Sequence, residues 1–153
     1  LINILNNLGI TMEIDSTMPT YGNQNMFQDA KFTEIPRLIF PTSCGSLPYV
    51  FYNCTSLKEI EALGVHEAMT YSNTFANCSK LSYIRIEGVI GNSISFSSSP
   101  LTKESIESIV NALSDTTSGL TCTFNKTAKE SAFTTEEWAA LIATKPNWSF
   151  SLI

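Results

Sequence analysis

One phrase occurs twice along the chain, as Val50-Phe-Tyr-Asn-Cys-Thr-Ser-Leu-Lys-Glu-Ile60 and as Thr74-Phe-Ala-Asn-Cys-Ser-Lys-Leu-Ser-Tyr-Ile84. Phe51, Asn53, Cys54, Leu57 and Ile60 recur as Phe75, Asn77, Cys78, Leu81 and Ile84, each 24 residues later and without a gap. A repeat of ~20 to 50 residues marks an architecture whose single unit is too small to bury its own apolar face. Each unit must bury that face against its neighbours, so the phrase predicts a solenoid.

Within the phrase, Lys58-Glu59-Ile60-Glu61 and Tyr83-Ile84-Arg85-Ile86-Glu87 alternate apolar and polar residues. That is the pattern of a half-buried strand. One strand per repeat, stacked in register, gives a parallel sheet with Leu57, Ile60, Leu81 and Ile84 inward and Phe51 and Phe75 filling the far side of the core. The asparagines are expected to bond main-chain groups of the next unit from the turn before each strand, and the cysteines to pack as small apolar residues.

The phrase F-x-N-C-x-x-L-x-x-I resembles the BspA-type leucine-rich repeats of bacterial surface proteins, and shares the asparagine-or-cysteine position of leucine-rich repeats generally. An earlier copy, Met26-Phe27-Gln-Asp-Ala30-Lys-Phe32-Thr-Glu-Ile35, is one residue shorter and has Ala30 at the cysteine position. A degenerate later copy is Phe96-Ser-Ser-Ser-Pro-Leu101. The part after Leu101 resembles the ends of repeat proteins of gut bacteria and their phages. The resemblance implies an α/β repeat fold. Residues 1–153 would form one short leucine-rich-repeat solenoid, with clear repeats over 26–101 and two helix-strand units over 102–153 that continue the sheet and cap it. It also implies adhesion at a bacterial surface or in a secreted protein, with a phage tail fibre as the alternative.

Composition narrows the partners. Nine Lys and Arg against fourteen Asp and Glu give a net charge of −5, and the basic residues are scattered, which argues against nucleic acid. No run of ~18 apolar residues is present, so no membrane insertion is expected. The four cysteines lack C-x-x-C spacing and His66 is the single histidine, so neither a zinc site nor a cofactor is expected. Cys54 and Cys78 fall on adjacent units yet point the same way into the core, and free thiols are expected over a bridge. The chain begins at Leu1 in mid-pattern, as a processed product or a piece of a longer protein would.

Taken in order, Leu1 to Leu8 has the spacing of a short helix, Ile10 to Ile14 alternates as a strand, and Asp15 to Asn25 reads as a loop. Phe32 to Phe40 is a strand with a bend or bulge expected at Pro36. Ile94-Ser-Phe96 is a further strand. Ile106, Ile109, Val110 and Leu113 line one face of a helix that starts after Thr102 and breaks at Ser118-Gly119. Leu120 to Phe124 alternates as a strand. Thr134 and Glu137 stand at capping-box spacing before Trp138, and Trp148 to Leu152 is a last strand.

Catalysis finds little support. His66 sits in a linker with no thiol placed beside it, and Gly88-Val-Ile-Gly91 lacks the spacing of a nucleotide loop. Four sequons, at Asn53, Asn77, Asn125 and Asn147, are incidental in a bacterial or phage protein. Glu59 and Glu61, with Glu34, could line an acidic strand face, which leaves a glycan-acting enzyme as an alternative to a binding module. The ligand-binding candidates are Tyr83, Arg85, Glu59, Glu61 and Glu34. They are expected in two outward columns, Glu34-Glu59-Tyr83 and Pro36-Glu61-Arg85, facing a protein or glycan ligand. The competing surface is the Ser/Thr/Asn-rich loops at Asp15 to Asn25 and Ser93 to Ser99.

Overall fold

The structure, a computed structural model, describes residues 12–13 and 24–153. The helix expected over Leu1 to Leu8 and nearly all of the Asp15 to Asn25 loop lie outside these residues. Of the Ile10 to Ile14 strand, the described pair is β1, Met12–Glu13. There follow β2 (Glu34–Ile35), β3 (Leu38–Ile39), β4 (Glu59–Val65), β5 (Tyr83–Gly88) and β6 (Ile94–Phe96). After them come α1 (Lys103–Ala112), β7 (Leu120–Phe124), α2 (Lys126–Ala132), α3 (Thr135–Ala143) and β8 (Trp148–Leu152). The described residues thus form a mixed α/β fold with three helices and parallel strands in two sheets, β1 to β5 and β6 to β8. Neither sheet closes into a barrel.

The strand partners follow the sequence phrase. Glu34 and Ile35 pair with Glu59 and Ile60, which pair in turn with Tyr83 and Ile84. The Phe32 to Phe40 segment breaks at Pro36-Arg37, because proline has no N–H for the ladder. β4 makes the matching step, so that Leu38 still meets Leu63. β5 does not: Glu61 and Ala62 both lie between the paired residues Ile60 and Leu63, where β5 has Arg85 alone between Ile84 and Ile86. The extra residue is a β-bulge that the alternating pattern did not reveal.

Across the core, phenylalanines form a column. Ring centroids of Phe27 and Phe51 are 5.5 Å apart, Phe51 and Phe75 5.4 Å, Phe75 and Phe96 4.6 Å, and Phe96 and Phe124 6.4 Å, all stacked. Opposite them Leu57, Ile60, Leu81 and Ile84 are fully buried. Burying each of these side chains stabilises the fold by about 1.5 to 3 kcal/mol.

The turn that carries each phenylalanine has a fixed backbone. Asn25, Tyr49 and Asn73 adopt left-handed φ of 59°, 57° and 53°, and Asp29, Asn53 and Asn77 adopt 61°, 59° and 62°. Both sets recur at the interval of the phrase. Asn and Asp tolerate this region better than most residues, which accounts for five of the six identities. Main-chain bonds such as Phe51 N–H to Thr74 O and Asn53 N–H to Ala76 O join one turn to the next, and the side chains that add to them by bonding a neighbouring turn's main chain are those of Cys54, Cys78 and Thr74 and not, as expected, the asparagines. Cys54 Sγ donates to Phe27 O at 3.0 Å and Cys78 Sγ to Phe51 O at 3.1 Å, whereas the Asn53 side chain binds that of Asp29. In the degenerate copy Ser99 takes the cysteine's place and donates to Cys78 O at 3.3 Å. All four cysteines are buried and unbridged.

The C-terminal units do not continue the first sheet. β5 has no strand beyond it among the described residues; α1 packs there instead, and the Ser105 and Ser108 hydroxyls accept from the Ile84 and Ile86 N–H groups, each at 2.9 Å. β6, β7 and β8 build their own sheet on the phenylalanine side, where Phe96 and Phe124 extend the column. Strands thus move to the phenylalanine side of the core, where the earlier units carry turns, and a helix takes the place of a strand beside the first sheet.

One helix boundary and one whole helix also differ from expectation. α1 ends before Leu113, well short of Ser118-Gly119, because Leu113 turns extended and bridges Ile90. α2 was not anticipated at all: it buries no residue and so has no apolar stripe to read. Asn125, noted in the sequence only as a sequon, is its N-cap and accepts from Ala128 N–H at 2.9 Å. The capping box of α3 forms as expected between Thr134 and Glu137.

Candidate functional site

The first outward column forms as expected, since Glu34, Glu59 and Tyr83 are successive register partners on β2, β4 and β5. Neighbouring strands stand ~4.8 Å apart, so one extended ligand would reach all three. Tyr83 is half-buried and its hydroxyl donates to Glu104 Oε1 at 3.4 Å, tying the sheet to α1. Burial and then the Glu104 carboxylate push the phenol above its ordinary range. Among the described residues, Glu34, Glu59 and Glu61 have no ion-pair partner.

The second column does not form as expected. Pro36 is buried, and the bulge sets both Glu61 and Ala62 against Arg85. Arg85 turns instead to Glu87, with Nη1 3.1 Å from Oε1, while Arg37 Nε lies 2.7 Å from Glu87 Oε2. Gly64 is the β4 residue between Glu87 and Ile39, and the Ile39 side chain packs over it. The face thus carries an acidic row with a tyrosine, and beside it a carboxylate clasped by two arginines.

Of the two competing loops, Asp15 to Asn25 lies almost wholly outside the described residues. In the Ser93 to Ser99 segment the hydroxyls are engaged internally: Ser93 Oγ accepts from Thr121 N–H, Ser98 Oγ from Asn77 N–H, and Ser99 donates to Cys78 O. His66 Nε2 lies 2.6 Å from Cys44 O and joins two turns. Among the described residues no three His, Cys, Asp or Glu side chains converge as metal ligands, and no helix is long and apolar enough to cross a membrane.

Two concavities lie away from the sheet face. A groove of about 550 Å³ runs beside the start of α1 and along α2, and several of its polar groups bond within the fold. Asn125 bonds Ala128 and Ser97, and Lys103 pairs with Glu137 at 2.7 Å. A smaller cavity of about 300 Å³ is bordered by Glu67, Val89, Asn111, Asp115, Thr116 and Lys145 among others. Sequence reasoning missed it, because its residues arrive from four separate segments and form no motif. The one visible signal was Gly88 and Gly91, which resembled a loop motif only superficially. A Cβ on Gly88 would strike the Val65 carbonyl and one on Gly91 the Glu67 carbonyl.

Comparisons of the chain with protein-family models, curated proteins and solved structures find no match.

Proposed function

We propose that the chain is a short leucine-rich-repeat solenoid acting as a non-catalytic binding or structural module of a bacterial surface or secreted protein. The repeat phrase, its resemblance to BspA-type repeats and the common spacing of strand partners, left-handed turns and stacked phenylalanines support this reading. The observation that carries the functional part is the Glu34-Glu59-Tyr83 row, unpaired on its acidic members and bordered by the Arg37-Glu87-Arg85 cluster. A polar ligand crossing the strands, a protein loop or a glycan, meets acceptors, an aromatic ring and cationic groups together. Tyr and Arg are the residue types that most often anchor such contacts. Neither of the two concavities is lined by Glu34, Glu59 or Glu61, and recognition is preferred over glycan hydrolysis, which needs two carboxyls across a bond.

The test is binding of the labelled protein to an immobilised glycan panel and to extracellular-matrix proteins. For any ligand so found, a Tyr83→Ala, Arg85→Ala double variant with unchanged circular dichroism is expected to bind at least tenfold more weakly, or about 1.4 kcal/mol. Full affinity in that folded variant would remove the sheet face as the site.

A further inference from the structure

The small cavity beyond the end of α1 has features that the fold alone does not require. Glu67 is exposed, yet its carboxylate is held in one pose. Its Oε1 accepts from the hydroxyls of Ser114 and of Thr116, the latter at 2.9 Å. These hydroxyls hold the carboxyl below its usual range, Ser114 contributing most, so it is ionised at neutral pH. The main chain of the same residue is fixed as well. Asn92 Nδ2 donates to Met69 O at 3.0 Å and to Glu67 O at 3.4 Å, and Gly91 allows the close approach of that carbonyl. An exposed glutamate ordinarily samples several rotamers, so this one is preorganised.

Facing the same space is Lys145, a lysine only 8 % exposed. Its Nζ donates to Leu113 O at 2.6 Å and to Asp115 Oδ1 at 2.8 Å. An ammonium has three donors, so one remains. Trp148 Nε1 and the Asn147 side chain bond the carbonyls of Ser114 and Asp115 at 2.8 Å each, and hold the wall from behind. Val89, 41 % exposed, gives an apolar side, and Asn111 supplies an amide on the rim.

The cavity therefore offers a second oxygen on Glu67, a second on Asp115, one ammonium donor and one apolar wall in about 300 Å³. That volume is at the small end for small-molecule sites. Adjacent hydroxyls match this set, because each can donate to a carboxylate while accepting from the ammonium. A simple anion would meet two carboxylates, and an amine would meet the buried lysine. We propose that this cavity binds a single sugar ring, with Glu67 and Lys145 gripping neighbouring hydroxyls and Val89 against the ring's apolar face. The site is separate from the sheet face and stands or falls independently of it.

The experiment is amide-detected NMR titration of the whole chain with the methyl glycosides of glucose, galactose, mannose and N-acetylglucosamine, and with putrescine and acetate as controls. At least one glycoside is expected to give saturable shifts at residues 67, 89, 111–116 and 145. Glu67→Gln should weaken that binding at least tenfold. Val89→Trp, which fills the cavity from an exposed position and leaves the polar network alone, should abolish it. The proposal is overturned if no glycoside gives saturable shifts there, if putrescine or acetate binds there and the sugars do not, or if folded Val89→Trp binds sugar as well as the parent.

Discussion

The thiol of Cys78 donates to the carbonyl oxygen of Phe51, 27 residues earlier, at 3.1 Å, and Cys54 makes the same contact to Phe27 across the same separation. The cysteine position of the phrase is thus a polar tie between neighbouring turns inside an apolar core. Cys78→Ala removes both the tie and the sulfur's packing and should cost about 1 to 2 kcal/mol in urea denaturation. Cys78→Ser keeps a donor, as Ser99 does, and should cost less; a serine variant as unstable as the alanine one would show that the bond is idle.

The same burial gives a pH signature. Burial pushes the Cys78 thiol from its ordinary 9.0 up to about 12, and that of Cys54 in the same direction. The folded thiol stays protonated where the unfolded one has ionised, so above pH 9 the unfolded state binds fewer protons. Stability that is fully present below pH 9 should therefore be lost as pH rises toward 12. The fall should be shallower in Cys78→Ser, measured as the denaturation midpoint between pH 8 and 11; parallel curves for the two proteins would contradict it.

Ser105 closes the edge of the first sheet by accepting from Ile84 N–H at 2.9 Å. Ser105→Ala should strand that buried donor at a cost of about 1 to 3 kcal/mol. Hydrogen exchange at the Ile84 amide should accelerate by more than global destabilisation explains. Unchanged protection there would mean that another group covers the edge.

Leu81 is fully buried between Leu57 and the helix-bearing end of the core. Leu81→Ala should cost about 2 to 5 kcal/mol, because units fixed on both sides cannot close the cavity. An unmoved denaturation midpoint would place this residue outside the core.

Legibility in the sequence tracked local pattern. β5, β7 and β8 alternate cleanly, α1 has an apolar stripe and α3 a capping box, so each could be read from local pattern. α2 could not, since no face of it is buried. The bulge at Glu61-Ala62 was hidden because alternation is a property of one strand, while register belongs to a pair. For that reason Glu34, Glu59 and Tyr83 were placed correctly and Arg85 was not. Tyr49 adopts the left-handed conformation of Asn25 and Asn73, which its residue type does not signal. The Glu67 cavity depends on contacts up to 49 residues apart, beyond the reach of any local pattern.

The phenylalanine of one repeat stacks on that of the next, and the stack runs on through Phe96 and Phe124, where strands replace turns on that side of the core. Aromatic NOEs test it most directly. Ring protons of Phe75 should show cross-peaks to both Phe51 and Phe96, with Phe124 linked to Phe96, in keeping with centroid separations of 5.4, 4.6 and 6.4 Å. If Phe96 showed contacts to neither Phe75 nor Phe124, the column would end at the second repeat and the account of the fold would be wrong.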